Sequence, residues 1–257
     1  MLRKVVILFG NELNTENLLK TGKALKEKYN CEIKGLYVRD LRKHEIIPPS
    51  VEGLVVDPSS RYIVEEWEKF ESEQITILKD KFKSYFDENN LIVKDGVTPD
   101  TALEELKGFD LLVLGKGERI SPDLKFILKN HYKPIIIVSQ EPIKFDKVMI
   151  ANDKSFKINK SFFRFMSIFE DIKEFDSYSV GLEDEEDNSF SEYLQGSDKV
   201  IRTKECQGDE LEVLIEEAKE HNLLIMGNLT HSYLVEKITG HIGVKLIESL
   251  KIPIFIA

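Results

Sequence analysis

Apolar and polar residues along this chain fall into blocks. Short, nearly continuous apolar runs at 4–9, 111–115, 147–151 and 223–227 read as strands buried on both faces, the pattern of a parallel sheet. Between them lie stretches with helical spacing. Leu18, Gly22, Leu25 and Tyr29 recur at i, i+4, i+7 and i+11. In a later, Phe-rich stretch, Phe162, Phe165, Met166, Phe169 and Ile172 form a similar face. A second strand follows each of these helices, at 32–38 and at 176–182. Shorter helices, over Ala102, Leu103 and Leu106 and over Leu211, Leu214, Ile215 and Ala218, lead into the next strands. Strands alternating with amphipathic helices predict a parallel sheet with helices on both faces and right-handed crossovers.

The pattern occurs twice. Residues 109–115 read Phe-Asp-Leu-Leu-Val-Leu-Gly and residues 221–227 read His-Asn-Leu-Leu-Ile-Met-Gly. A polar, helix-compatible stretch follows each copy, then an apolar run opened by Pro134 or Pro253. The chain is therefore read as a tandem repeat of one α/β domain. Domain 1 covers 1–142 and domain 2 covers 143–257, each with about five parallel strands. The strands after Pro134 and Pro253 are expected to meet as interface elements, making the halves an intramolecular pseudo-dimer. Domain 1 carries a helical insertion at about 48–90. A long helix at 61–86 is predicted there, with Ile63, Trp67, Phe70, Ile75, Leu78, Phe82 and Phe86 on its apolar side. Trp67 and Phe70 are expected to cover the sheet. In the second half this region shrinks to an acidic loop and 189–195, its helix shorter or lost.

Composition narrows the classes. With 257 residues, 42% hydrophobic and 32% charged, the chain has room for two globular cores. A net charge of −10 and the lack of a basic stripe argue against a nucleic-acid partner. The run Glu183-Asp184-Glu185-Glu186-Asp187 reads as a solvated loop. No apolar segment nears the roughly 20 residues needed to span a bilayer, so no membrane association is expected. The opening apolar run is too short for a secretory signal and reads as the first strand. Cys31 and Cys206 lack metal-ligand spacing and fit a cytoplasmic protein with free thiols. His221, His231 and His241 recur every ten residues, without the compact spacing of a zinc set. No phosphate-binding P-loop, nucleophile elbow or nucleophile–base pair points to an enzyme.

The two Leu-Leu-x-Leu/Met-Gly strands, each after a short acidic helix, resemble those of the universal stress protein (UspA-like) family. So does the final stretch, Met226-Gly227-Asn228-Leu229-Thr230-His231-Ser232, then Gly240-His241, then 250–257. The resemblance covers nearly the whole chain as two tandem copies. It implies an α/β fold of two Rossmann-like (adenine nucleotide alpha hydrolase-like) domains and a stress-response, regulatory role in the cytoplasm. Members that bind ATP share Gly-x2-Gly-x9-Gly-(Ser/Thr) and an acidic residue after the first strand. Glycines let backbone N–H groups approach phosphates, and the hydroxyl donates to them. On the second half this becomes Gly227-x2-Thr230-x9-Gly240-His241, with spacing kept and two positions changed. Asp153 stands at the acidic position, and Val180 lies near the end of the second strand, where the adenine is held. Thr230 brings a β-branched side chain to a glycine position, and a protonated His241 can donate to phosphate.

The first half departs further. Gly10-Asn11 supplies no carboxylate, and Gly115 is followed by Lys116-Gly117-Glu118-Arg119 without a closing Gly-Ser or Gly-Thr pair. Lys116 and Arg119 attract an anion, whereas Glu118 repels one. The resemblance thus implies ATP, or another adenine nucleotide, in the second domain only, with at most weak ATP hydrolysis. The alternative is a nucleotide-free interaction or scaffold protein with a degenerate site in both domains. A further homodimer and an unidentified protein partner engaging the 48–90 insertion complete the expectations.

Overall fold

A computed structural model describes residues 1–10, 14–43, 58–181, 189–229 and 242–257, with the backbone alone for 58–64. The first half runs β1 (Lys4–Phe9), α1 (Thr15–Tyr29), β2 (Glu32–Asp40), α2 (Pro58–Lys83), β3 (Leu91–Gly96), α3 (Thr98–Glu105), β4 (Leu111–Gly115), α4 (Pro122–Asn130) and β5 (Ile135–Val138). The second continues with β6 (Val148–Ala151), α5 (Phe156–Ile168), β7 (Glu174–Val180), α6 (Ser189–Leu194), β8 (Val200–Cys206), α7 (Glu210–Ala218), β9 (Leu223–Ile225), α8 (Ile242–Ser249) and β10 (Ile254–Ile256).

All ten strands form one sheet in the order β3-β2-β1-β4-β5-β10-β9-β6-β7-β8. Every neighbouring pair is parallel except β5 and β10, which run antiparallel with Phe255 opposite Ile136. The two halves thus share one sheet, joined through the strands that follow Pro134 and Pro253. Side-chain alternation splits the core into two layers. Val5, Ile7 and Phe9 join α1, α2, α5 and α6 on one face. Val6 and Leu8 join α3, α4, α7 and α8 on the other. The first layer holds an aromatic cluster in which Phe165 meets Phe175 and Phe255 edge-on.

Local chemistry sets the helix starts. Ser121 Oγ accepts from the Leu124 N–H with Pro122 at the first helical position of α4, and Asp209 accepts from the Glu212 N–H at α7, both ordinary N-caps. Gly35 brings α2 onto β2. A Cβ there would lie 2.7 Å from the Phe82 ring and 2.6 Å from Leu91 Cδ1, so only glycine lets that ring settle on the strand.

Several expectations change. Each half has the expected five strands, but the apolar pattern does not locate the fifth, the edge strands β3 and β8. β8 is mostly exposed, and its Arg202 and Lys204 pair with Glu174, Asp176 and Glu217, so it shows no apolar run. The long helix covers Pro58–Lys83 rather than 61–86. Its partner in the second half is shortened to six residues. Trp67 and Phe70 do not cover the sheet. Each is 47% exposed; among the described side chains of α2, Ile75, Leu78 and Phe82 are the ones in the core, and the predicted core residue Ile63 lies among side chains outside the described ones. The acidic run at 183–187 lies outside the described residues. No helix among the described residues is long and apolar enough to cross a membrane.

Candidate functional site

In each half the winding direction reverses beside the first strand, between β1 and β4 and again between β6 and β9. Open α/β sheets bind ligands at such points, beyond the carboxyl ends of the strands. A cleft lies at both.

The second-half cleft, about 310 Å³, is lined by Ala151 and Asp153 after β6, Met226, Gly227 and Asn228 after β9, Lys157 of α5, Glu210 and Leu214 of α7, and the first turn of α8. A smaller pocket of about 90 Å³ shares Asp153, Glu210 and Leu214 and adds Tyr178 and Val180 at the end of β7. Asp153 is exposed at the rim, where its Oδ1 accepts the Ser155 N–H at 3.0 Å. Ser155 Oγ in turn accepts the Lys157 N–H at 3.3 Å, capping α5 beneath the cleft. Gly227 presses on that same turn. A Cβ on it would lie 3.1 Å from Lys157 Cβ and 3.2 Å from the Ile158 nitrogen, so the bare backbone lets the β9 loop sit against α5. Glu210 adds a second carboxyl group. Burial, then the charges of Asp153 and Asp209, hold its pKa above the usual carboxylate value.

The first-half cleft, about 300 Å³, has an apolar floor that includes Leu8, Val38, Leu114 and Ile127. A charged clamp crosses its rim. Asp40, only 5% exposed, accepts from Arg42 Nε at 2.8 Å and from the Thr98 hydroxyl at 2.8 Å. It also pairs with the Arg42 terminal nitrogen. The other edge of the same guanidinium grips Asp123 through two bonds, at 2.9 and 2.7 Å. These hydrogen bonds, led by those from Arg42, hold the Asp40 carboxyl well below its usual range. Asp123 lies in the first turn of α4 and places an internal carboxylate at that helix's N-terminal end.

The overall fold recurs in solved structures. A universal stress protein from Archaeoglobus fulgidus DSM 4304 matches with a TM-score of 0.71 over 98% of this chain and 94% of its own, at 15% identity. The chain has the universal stress protein fold. A functionally unknown protein from Pseudomonas aeruginosa PAO1 matches with a TM-score of 0.58 over 99% of this chain and 92% of its own, at 11% identity. Neither a protein-family model nor a curated protein matches the sequence.

Within this universal stress protein fold, Asp153 and Gly227 line the main second-half cleft, and Val180 lines the small pocket that shares Asp153. Thr230, Gly240 and His241 lie outside the described residues, as does His231. His221 is buried. Its Nδ1 donates to the Glu217 carbonyl at 2.7 Å, and Nε2 lies 3.3 Å from Asp176. No group of three or more His, Cys, Asp or Glu among the described residues is placed to hold a metal.

Lys116 does not face an anion site. Its Nζ donates to the Glu248 carbonyl at 2.9 Å, near the negative end of α8, while the Ile120 N–H donates to the Glu248 carboxylate. Burial holds the Lys116 pKa down. The segment after Gly115 is thus docked on the second half. Sequence reasoning missed Glu210, Lys157 and the Asp40–Arg42–Asp123 clamp. Glu210, next to the Asp209 cap, carried the one readable signal. Arg42 and Asp123 are 81 residues apart, and no local pattern joins them.

Proposed function

We propose that this chain is a cytoplasmic regulator of the universal stress protein type, made of tandem domains 1–142 and 143–257, that takes an adenine nucleotide in its second domain. The observation that carries this reading is the convergence of Asp153 and Gly227 on one cleft at the sheet's switch point, with Val180 in an adjoining pocket. The residues present fit the ring and sugar end of such a ligand. Tyr178, Val180 and Leu214 offer apolar surface, and the exposed Asp153 offers acceptors to hydroxyl groups. Lys157, which also lines the cleft, supplies positive charge for phosphate. Bound nucleotide would supply the regulatory signal. The chain's residues bind and orient it, and no side chain here is assigned to hydrolysis.

The first domain supports this asymmetry. Its cleft carries an internal carboxylate, Asp123, at the N-terminal end of α4, already held by Arg42. Phosphate there would meet that negative charge.

A second reading rests on Glu210. Two carboxyl groups, Glu210 and Asp153, face the second cleft, and they oppose a polyphosphate. If that repulsion prevails, the chain is a nucleotide-free interaction protein. Denaturing freshly purified protein and chromatographing the supernatant decides between them. The first reading expects an adenine nucleotide at up to one per chain, lost in Gly227→Val, whose side chain would collide with the Lys157–Ile158 turn. Protein without nucleotide that takes up none on incubation supports the second.

A further inference from the structure

Helix α8 has one end in the second-half cleft and the other against the first half. Its first turn, Ile242, Gly243 and Val244, lines that cleft, and Leu246 reaches the same space. Leu246 packs in the layer that holds Leu214 and Met226, two further walls of the cleft. At eight residues the helix is about 12 Å long. So short a helix has little stability of its own, and tertiary anchors decide where it stands.

The first half anchors the C-terminal end. Lys116, only 4% exposed, donates from Nζ to the Glu248 carbonyl at 2.9 Å. There it meets a carbonyl of the last turn, at the negative end of the helix. The Glu248 carboxylate accepts the Ile120 N–H at 3.0 Å. The Lys116 backbone belongs firmly to its own half. Its N–H donates to the Val138 carbonyl at 3.1 Å, and its carbonyl accepts from Asn14 Nδ2 at 2.6 Å. Just past α8, the Lys251 carbonyl takes the N–H groups of Gln140 and Glu141. Of these anchors, Lys116 and Glu248 are the ones that a side-chain change removes, and neither lines the second cleft. The segment that starts at Lys116 runs on to Ser121 and Asp123 in the first cleft, where Arg42 grips Asp123.

We propose that Lys116 is a positioning residue for the second-half cleft: by fixing the C-terminal end of α8, it sets where that helix's first turn meets the ligand. The first domain thus contributes to binding in the second through a contact outside the site. Linkage makes the effect reciprocal, so ligand in the second cleft stiffens the segment after Lys116 in the first half. This role rests on the nucleotide reading above, and the two can fail separately.

The test titrates ATP calorimetrically into the nucleotide-stripped full chain and follows amide exchange by mass spectrometry with and without ATP. Wild type should bind, with slower exchange at 242–249 and, across the seam, at 116–124. K116M keeps a long side chain and loses the donor. It should bind ATP about five- to tenfold more weakly, the effect of one hydrogen bond from a charged group. Without ligand it should exchange faster at 242–249, and ATP should no longer slow 116–124. Exchange in β1 and β6 should match wild type, showing that the variant is folded. If K116M does not fold, E248A, which frees only the Ile120 N–H, carries the same test with a loss of about threefold. Wild type that binds ATP without slowing 116–124 overturns the role of Lys116 and leaves the nucleotide site standing. Affinity equal to wild type in the folded variant does the same. Wild type that takes up no ATP overturns both.

Discussion

Replacing Asp40 by alanine tests the clamp over the first cleft. The carboxylate is nearly buried and accepts from Arg42 Nε, from the Arg42 backbone N–H at 3.0 Å and from the Thr98 hydroxyl. Hydrogen bonds to a charged group contribute about 1.5–3 kcal/mol each, but these share one acceptor and do not add. Arg42 stays bound to Asp123 and is partly in water, so it is not left as a buried lone charge. The net cost is therefore about 2–3 kcal/mol, near the lower end for breaking a buried pair. For a chain of this size that lowers Tm by about 4–12 °C. The pH dependence carries a sign. The folded pKa of Asp40 lies below its unfolded value, so its stabilisation is complete above about pH 4. It is lost as pH falls from there towards the folded pKa. Urea unfolding at pH 7 and in steps below pH 4 should show the gap between wild type and Asp40→Ala narrowing on acidification. A gap below about 0.5 kcal/mol at pH 7, the size of an ordinary surface change, refutes the reasoning. So does a gap that widens in acid.

Two further changes probe the seam and the second cleft. Phe255 is fully buried in β10, opposite Ile136 and edge-on to Phe165. Phe255→Ala should cost about 3–5 kcal/mol in urea unfolding, and a loss under about 1 kcal/mol would mean β10 contributes little to the join. Glu210 has a folded pKa above its unfolded value, so its ionisation costs stability as pH rises through that folded pKa. Glu210→Gln should be at least as stable as wild type at pH 7, with the advantage fading below about pH 4. It should also bind ATP about three- to tenfold more tightly, up to about 1.4 kcal/mol. Weaker binding in calorimetry would give Glu210 a contact role instead of a repulsive one.

The central strands were legible because strands buried on both faces must be apolar: 111–115 and 223–227 could be little else. Edge strands carry no such constraint, and β8, with Arg202 and Lys204 paired to carboxylates, reads like a loop. Trp67 and Phe70 fitted an amphipathic helix, but helical spacing says which residues share a face and not what covers it. In the candidate site, Asp153 and Gly227 were visible because each follows a recognisable strand at a position that the resemblance to universal stress proteins implies. Glu210 and Arg42 were not, since their roles arise only when strand ends distant in sequence come together at the rim.

The proposed nucleotide site in the second half is anchored by Asp153. Isothermal titration of ATP into the purified, nucleotide-stripped chain and its Asp153→Ala variant tests it most directly. One site per chain, weakened at least about tenfold by Asp153→Ala, or 1.4 kcal/mol, is the result expected. No binding at about 1 mM ATP, an affinity worth only about 4 kcal/mol, or equal affinity in the variant, would contradict it.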